Sequence, residues 1–500
     1  MLCDSMAIAA QASAIAPTLR PYQLDGIQYL VDRTRCGLVD EPGLGKTVQI
    51  LISLQLHNMF PALICAPRSA LGVWRDEIAK WLGSEAAART ILYCGTSQLR
   101  QKLRKSGALQ NAQFVITSYR VGAELLAYTT ATDQEQNLLP LWRALVCDEF
   151  HRVGLLNIKT ATYKVFKMAC ARVGTQKWPA VRFYAVSGTP YTKGPQDFFG
   201  LLHLFEPKNT EFRSYWRFVE THCRVFENDA GYREIHPCPK HPENFRKLLS
   251  DYFLRRTKET VLSQLPAKIR QVIPVEMSPR QAKLYKTLEQ DLVVQLHQNT
   301  VFALSPLTLA MRLRQMLVSP QCLDSTEKDV GGGIEALLEM VDLDFDAGNS
   351  VLIFTPFIRG VELVAKKLKE KLNAAVFMIH GQMKGGVLPS DIALAFQNAP
   401  GKRKILVCTI KTGQAWTATA ANVVYFLGYE WAAVENEQAE DRAHRLGQQK
   451  SVVCKYIKYV DTIDQDILQV ILNKELGFAA SLDAARFQRI IQARFMRKEA

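Results

Sequence analysis

Short, nearly unbroken apolar runs recur along the chain, and their spacing sets the first expectation. The series Gly37 to Asp40, Ala62 to Ala66, Phe114 to Thr117, Ala144 to Cys147 and Phe183 to Val186 lacks the polar alternation of a half-exposed strand. Strands buried on both faces of a parallel sheet read this way, and the stretches between them suit crossover helices. A doubly wound α/β domain is predicted. A second series, Val351 to Phe354, Ala375 to Ile379, Ile405 to Cys408, Val423 to Leu427 and Val452 to Tyr456, is separated by helical stretches such as Val361 to Leu372 and predicts a second such domain.

Between the two, from about Phe205 to Lys328, that rhythm is absent. Ser278 followed by Pro279 reads as an N-cap with Pro at the first helical position, and Leu284, Leu288, Leu292 and Leu296 recur at helical spacing. A mainly helical insertion is expected, closed by Gly331, Gly332 and Gly333 as a flexible linker. The expected boundaries are 1–204 for the first lobe, 205–330 for the insertion and linker, 331–475 for the second lobe and 476–500 for a C-terminal helix.

Three motifs carry candidate chemistry. Asp40 to Thr47 reads DEPGLGKT, directly after a strand and before the helical run Val48 to Leu54. In that context Gly43 and Gly45 let backbone N–H groups wrap a phosphate at a helix N-terminus, Lys46 neutralises phosphate charge and Thr47 ligates Mg²⁺. The generic phosphate loop has Gly where Asp40 stands, so this is a variant. Cys147 to Arg152 reads CDEFHR at a strand end, where Asp148 suits a metal held through water and Glu149 suits deprotonation of an attacking water. Such a pair also serves as a solvated edge or a helix cap; the upstream phosphate loop favours the chemical reading. Gln438 to Gln448 reads QAEDRAHRLGQ, expected as a polar helix with Arg442 and Arg445 on one face.

Charge narrows the partner. Lys and Arg total 62 against 48 Asp and Glu, a formal net charge of +14, which favours a polyanion such as nucleic acid or an acidic membrane surface. No apolar stretch approaches the roughly 20 residues that span a bilayer, so membrane insertion is not expected. The Ala-rich N-terminal segment lacks a basic start and carries Asp4, and the 11 cysteines are scattered without a C-x-x-C pair, as expected of reduced thiols inside a cell. The group His222, Cys223, His236, Cys238 and His241 fits no familiar zinc spacing. Lys366, Lys367, Lys369 and Lys371 read as a solvated helix face, and Trp74 and Trp81 as packing residues beside Ile78.

The ordered motifs LRPYQLDGIQYL (Leu19 to Leu30), DEPGLGKT, CAPRSALGVW (Cys65 to Trp74), ITSY (Ile116 to Tyr119), DEFH, SGTP (Ser187 to Pro190), LRRTKETVLSQLPAK (Leu254 to Lys268), VLIF and QAEDRAHRLGQ together resemble the Swi/Snf family of superfamily II helicase-like ATPases, in wording nearest its annealing-helicase branch. The resemblance implies two RecA-like lobes with ATP and Mg²⁺ between them and double-stranded DNA running across both. It implies Gln23 as adenine reader, Lys46, Thr47, Asp148 and Glu149 as the phosphate, metal and water residues, and Arg442 and Arg445 as arginine fingers. Gly413 is placed with the nucleotide-binding residues, Pro67, Arg68, Thr117 and Ser118 at the DNA backbone, and Ser187 and Thr189 in the motif coupling hydrolysis to lobe movement. His151 is read as a link from the ATP site rather than a proton donor.

The sequence departs from the family at Gln414, Ala415 and Trp416 in the loop after Gly413, at Ala432 and Ala433 in place of Asn-Pro, and at Pro42 in place of Met. The expected activity is DNA-stimulated ATP hydrolysis driving translocation on duplex DNA, branched or forked DNA included, with an unidentified protein partner. Strand-separating helicase activity on DNA or RNA is the alternative enzyme, and a nucleic-acid-binding scaffold with vestigial ATPase the alternative of another class. Compactness suggests a bacterial or phage protein, hence a cytoplasmic, nucleoid-associated one.

Overall fold

The computed structural model describes residues 5–130, 140–152, 155–171, 182–188, 194–227, 233–262, 265–298, 306–383, 388–412 and 416–472. The chain divides into two compact units, Met1–Ser263 and Gln264–Ala500. The terminal helix expected over 476–500 lies outside the described residues, as do Thr189 and Gly413.

In chain order the strands of the first unit are β1 (Arg35–Leu38), β2 (Ala62–Cys65), β3 (Thr90–Leu92), β4 (Phe114–Thr117), β5 (Ala144–Asp148), β6 (Arg182–Val186), β7 (Cys223–Glu227), β8 (Arg233–Pro239) and β9 (Phe253–Leu254). Seven of them form one parallel sheet in the order β3-β4-β2-β5-β6-β1-β9, while β7 and β8 make a separate antiparallel hairpin. The central strands were legible because both their faces are covered: Leu63, Ile64, Val115, Ile116 and Val146 are wholly buried. The helix Ser5–Ile15 buries Ile8 and Ala12 against Ile27, Val31, Val48 and Ile52, so the Ala-rich start is a packed element of this unit.

The second unit contains β10 (Lys268–Val275), β11 (Val351–Thr355), β12 (Ala375–Ile379), β13 (Lys404–Thr409), β14 (Val423–Leu427) and β15 (Val452–Tyr459). They form a parallel sheet ordered β10-β15-β14-β11-β13-β12. Two open parallel sheets with helices between successive strands are the doubly wound class that the apolar rhythm predicted. Among the described residues no helix is long and apolar enough to cross a membrane.

The stretch without rhythm is shared between the units. Residues 205–263 belong to the first, where β9 adds to the sheet edge beside β1, and 264–330 belong to the second, where β10 adds to the edge beside β15. Ser278 caps the helix Pro279–Gln298 by accepting from Gln281 N at 3.1 Å, as expected, and Leu284 and Leu288 pack on the second unit's core.

The three glycines at 331–333 are not a flexible linker. Gly332 and Gly333 open the helix Gly332–Asp346; Gly332 N donates to Gln281 Oε1 at 3.1 Å and Gly333 N to Tyr459 Oη at 2.6 Å. They are glycine because neighbours come too close for a side chain: a Cβ on Gly332 would lie 2.1 Å from the Glu276 carbonyl oxygen. Backbone there cannot yield cheaply, so Gly332→Ala should lower the stability of the second unit by about 1–3 kcal/mol. Urea unfolding followed by tryptophan fluorescence measures it, and a midpoint equal to wild type would show that the helix entry is loose.

Candidate active site

In the first unit the sheet brings three loops together at its C-terminal edge. β1 and β5 both pair with β6, so the loops after β1, β5 and β6 leave the sheet side by side, where open α/β sheets bind ligands. The first carries Gly43, Gly45, Lys46 and Thr47, the second Asp148 and Glu149, the third Ser187.

The loop after β1 is shaped by backbone conformation. Gly43 and Gly45 sit at φ 92° and 73°, and a Cβ on Gly45 would lie 2.4 Å from Gln23 Nε2. The helix Lys46–Leu56 then begins with its N–H groups facing the loop, and half-buried Thr47 lies in its first turn. Lys46 Nζ donates to the Asp40 and Glu41 carbonyls at 2.7 and 3.1 Å. Gln23, on the helix Pro21–Val31, is buried against the loop; its Oε1 accepts from Arg20 N at 3.0 Å and its Nε2 donates to Leu44 O at 3.3 Å. The structure thus brings Gln23 and Lys46 against one loop, although 22 intervening residues separate them in sequence.

Asp148 ends β5, and its Oδ2 accepts from the indole Nε1 of Trp74 at 2.9 Å. Burial and then the charge of Glu149 push this carboxyl above the usual carboxylate range, opposed by the Trp74 hydrogen bond and the Lys46 ammonium. A cation held there would reverse that balance. Trp74 is a packing residue, as read from its helix, but it also orients Asp148; helical spacing alone carried no sign of that second contact. Glu149 adopts φ 50°, a left-handed conformation uncommon outside glycine and typical of residues held for function. Ser187 Oγ donates to Glu149 Oε2 at 3.2 Å and lies 2.8 Å from His151 Nδ1. His151 Nδ1 also lies 3.4 Å from Glu149 Oε2, so Ser187 and His151 both approach the same carboxylate oxygen.

The DNA-side candidates leave adjacent strands. Cys65 of β2 pairs with Thr117 of β4, so Pro67 and Arg68 emerge beside Ser118. Arg68 is exposed and Pro67 and Ser118 are half-buried. Thr117 is wholly buried, its hydroxyl donating to Tyr93 O at 2.7 Å, so of these candidates it is the one the structure withdraws from the surface.

In the second unit the arginine motif is not one helix. The helix Ala433–Glu440 stops at Asp441, and Arg442 and Arg445 follow in consecutive turns. A cluster of charge sits at the helix end. Glu440, wholly buried, accepts from Arg270 Nε and Nη2 at 2.7 Å each and from Tyr456 Oη at 2.7 Å, with Lys268 Nζ at 3.0 Å; Lys268 also reaches Asp441 at 3.1 Å. His444 Nε2 meets Pro266 O at 2.7 Å. Burial alone would raise the Glu440 carboxyl, but Lys268 and Arg270 hold it below the usual range. Arg442 is buried, donating to Gln438 O and Trp416 O at 3.1 Å each, and Arg445 donates to Asp441 O at 3.0 Å.

Trp416 at the departure after Gly413 is core: it stacks on Phe354 at 6.4 Å and donates to Thr412 O at 2.8 Å. Ala432, at the N-cap of this helix, has no capping side chain; Asn436 ties the segment before the helix, accepting from Glu430 N at 3.0 Å and donating to Glu430 O and Ala432 O at 2.9 Å each.

Two parallel-sheet units, one carrying a phosphate loop and an acidic pair and the other a buried arginine turn, define the RecA-like class of helicase-type ATPases. A SNF2-related domain model matches residues 22–322 and a helicase conserved C-terminal domain model matches 332–447. The first alone spans more than half of the chain, which belongs to the SNF2-related family. It is 27% identical over 488 residues to Protein CHROMATIN REMODELING 5 of Arabidopsis thaliana, covering 91% of this chain and 26% of that one. It is 26% identical over 474 residues to the DNA annealing helicase and endonuclease ZRANB3 of Mus musculus, covering 93% of this chain and 40% of that one. The chain thus spans less than half the length of either relative. Among solved structures it aligns over 98% of its length with the Sulfolobus solfataricus SWI2/SNF2 ATPase core in complex with dsDNA, at 22% identity and a TM-score of 0.41.

Removing the carboxylate at the helix end would leave half-buried Lys268 with Asp441 and half-buried Arg270 with Glu437 as their remaining acidic partners. Glu440→Ala should therefore cost about 1–3 kcal/mol, the loss of hydrogen bonds to a charged group, read by denaturant unfolding. Because the folded carboxyl lies below its unfolded value of about 4.3, the wild-type contribution is complete above that pH and is lost as pH falls through the folded value. Wild type should lose its advantage over the variant on acidification, and a constant gap down to pH 2 would count against the pairing.

Proposed function

We propose that this chain is a DNA-dependent ATPase that translocates on double-stranded DNA. The observation that carries the reading is the convergence, at one sheet edge, of Lys46 on a phosphate-loop helix with the Asp148–Glu149 pair and its Ser187–His151 support. Gln23, Gly43, Gly45, Lys46 and Thr47 fit a nucleoside triphosphate: the loop backbone has no room for a side chain beside Gln23, the helix N-terminus favours anionic charge, and Lys46 adds a full positive charge. Thr47 and Asp148 are the residues that would hold Mg²⁺, which when bound neutralises charge on the phosphate oxygens. Family membership supports the same nucleotide and metal.

Glu149 accepts the proton of the attacking water as the water oxygen bonds the terminal phosphorus and the bridging oxygen leaves with ADP. The contact from Ser187 orients the carboxylate for that transfer. Half-buried Arg445 is assigned to stabilising charge on the transferred phosphoryl group, a role worth about 10³ to 10⁵ in rate in comparable enzymes, and Arg442, buried on the Gln438 and Trp416 carbonyls, to holding the turn that carries it. Arg68 and Ser118 suit phosphate contacts, which give affinity without reading sequence, as stepping along any duplex requires. The net charge of +14 supports a polyanionic track.

The direct test is ATP turnover with and without duplex DNA; absence of stimulation would refute the assignment. Third-strand displacement from a triplex beside unwinding of a forked duplex distinguishes translocation from strand separation, since a duplex translocase displaces the third strand and leaves the fork paired.

Lys46→Ala should lose most nucleotide affinity, and Glu149→Gln should bind ATP but hydrolyse it at least 100-fold more slowly, on the order of a lost general base. Equilibrium nucleotide binding and single-turnover hydrolysis read the two effects, and wild-type behaviour of either variant would overturn its role.

A further inference from the structure

The phosphate loop begins with an aspartate where the generic loop has glycine, and that aspartate is wholly buried. Its carboxylate faces the guanidinium of Arg256. Oδ1 accepts from Arg256 N and Nε at 3.0 Å each, and Oδ2 accepts from Arg256 Nη2 at 2.5 Å and from Gln49 Nε2 at 3.4 Å. The same guanidinium donates to Gln49 Oε1 at 2.7 Å and to the Tyr22 carbonyl. A buried carboxylate held by a two-pronged guanidinium is geometrically specific in a way a lysine could not reproduce.

The backbone repeats the attachment. Val39 N donates to Leu254 O at 2.8 Å, Glu41 N to Arg256 O at 3.0 Å, and Lys258 N to Glu41 Oε2 at 2.8 Å. Residues 39–41 are therefore laced to 254–258, extending the pairing of β1 with β9. The Asp40 and Glu41 carbonyls positioned in this way are the two that receive Lys46 Nζ. Gln49, the third member of the buried cluster, closes the loop from the helix side by donating to Leu44 O and Gly45 O at 3.3 and 3.2 Å.

We propose that Arg256 and Asp40 form a latch that positions the phosphate loop and Lys46 for nucleotide binding. The inference rests on the ATPase reading above and extends it to two positioning residues in the LRRTK segment and at the head of the loop. A buried ion pair adds little net stability compared with an apolar replacement, so its value here is the fixed shape it imposes on a loop that must meet phosphate with backbone N–H groups.

The test is a double-mutant cycle of Asp40→Asn, Arg256→Met and the two combined, with DNA-stimulated kcat and KM for ATP, equilibrium binding of a fluorescent ADP, and the thermal midpoint measured for each. Each single variant should raise KM and the ADP dissociation constant at least tenfold while kcat stays within threefold, and the double variant should be no worse than the poorer single one. If Arg256→Met does not fold, Arg256→Lys keeps the charge without the two-pronged contact and should show the same rise in KM. A fall in midpoint or kcat with KM unchanged in Arg256→Lys would make the pair a structural strut and overturn the latch. A wild-type chain that binds no nucleotide would overturn the ATPase reading itself, an outcome distinguishable because it appears before any substitution is made.

Discussion

A charge withdrawn from water must meet an opposite charge at hydrogen-bonding distance, and in this chain much of that requirement falls on one stretch, residues 255–270. Arg256 meets the buried Asp40 at the head of the phosphate loop, within the first unit. Lys268 and Arg270 meet the buried Glu440 at the head of the arginine turn, within the second. Each pairing lies close to where a regular element gives way to a loop and ties that loop to a distant segment of its own unit. The two loops so held are the ones that carry Lys46 in one unit and Arg442 and Arg445 in the other. The segment LRRTKETVLSQLPAK, legible in the sequence as a family mark, thereby gains a physical role at both of its ends.

Around these fixed loops the parallel sheets supply the rest of the geometry. Parallel pairing sends every strand's C-terminal end to the same edge, so residues more than a hundred positions apart, Lys46 and Asp148, come near enough for the ammonium to influence the carboxyl. The acidic pair is then divided by its surroundings. Asp148 is gripped by the Trp74 indole, whereas Glu149 is turned the other way by a left-handed backbone and met by Ser187. Adjacent identical charges can differ in their surroundings because their hydrogen-bond partners arrive from different elements, the helix that carries Trp74 and the loop after β6.

The strands of both sheet centres were legible because burial on two faces leaves an uninterrupted apolar run. Of the edge strands, β12 was legible as the run Ala375 to Ile379, and the other three were not. β3 has three half-buried residues and β9 only two, too short to show a pattern, and β10 alternates half-buried with exposed side chains beside a polar surface. The glycine triplet was read as a linker because composition reports flexibility and cannot report a carbonyl 2.1 Å from a missing Cβ. The i, i+3 spacing of Arg442 and Arg445 is compatible with continuous helix and carries no sign of the charged partners, some 170 residues away in the sequence, that meet Glu440 where the helix ends.

The sequence by itself determined the class of fold, the two α/β units and the family, and named the phosphate-loop, acidic-pair and arginine residues as candidates, since each rests on local pattern or on a motif contiguous in the chain. Only the tertiary structure decided what holds those residues in place: Trp74 on Asp148, Ser187 and His151 behind Glu149, Arg256 on Asp40, and Lys268 and Arg270 on Glu440. The physical reason is that a hydrogen bond or ion pair is set by position in space, and parallel-sheet topology makes neighbours of residues whose separation in the chain carries no periodic signal.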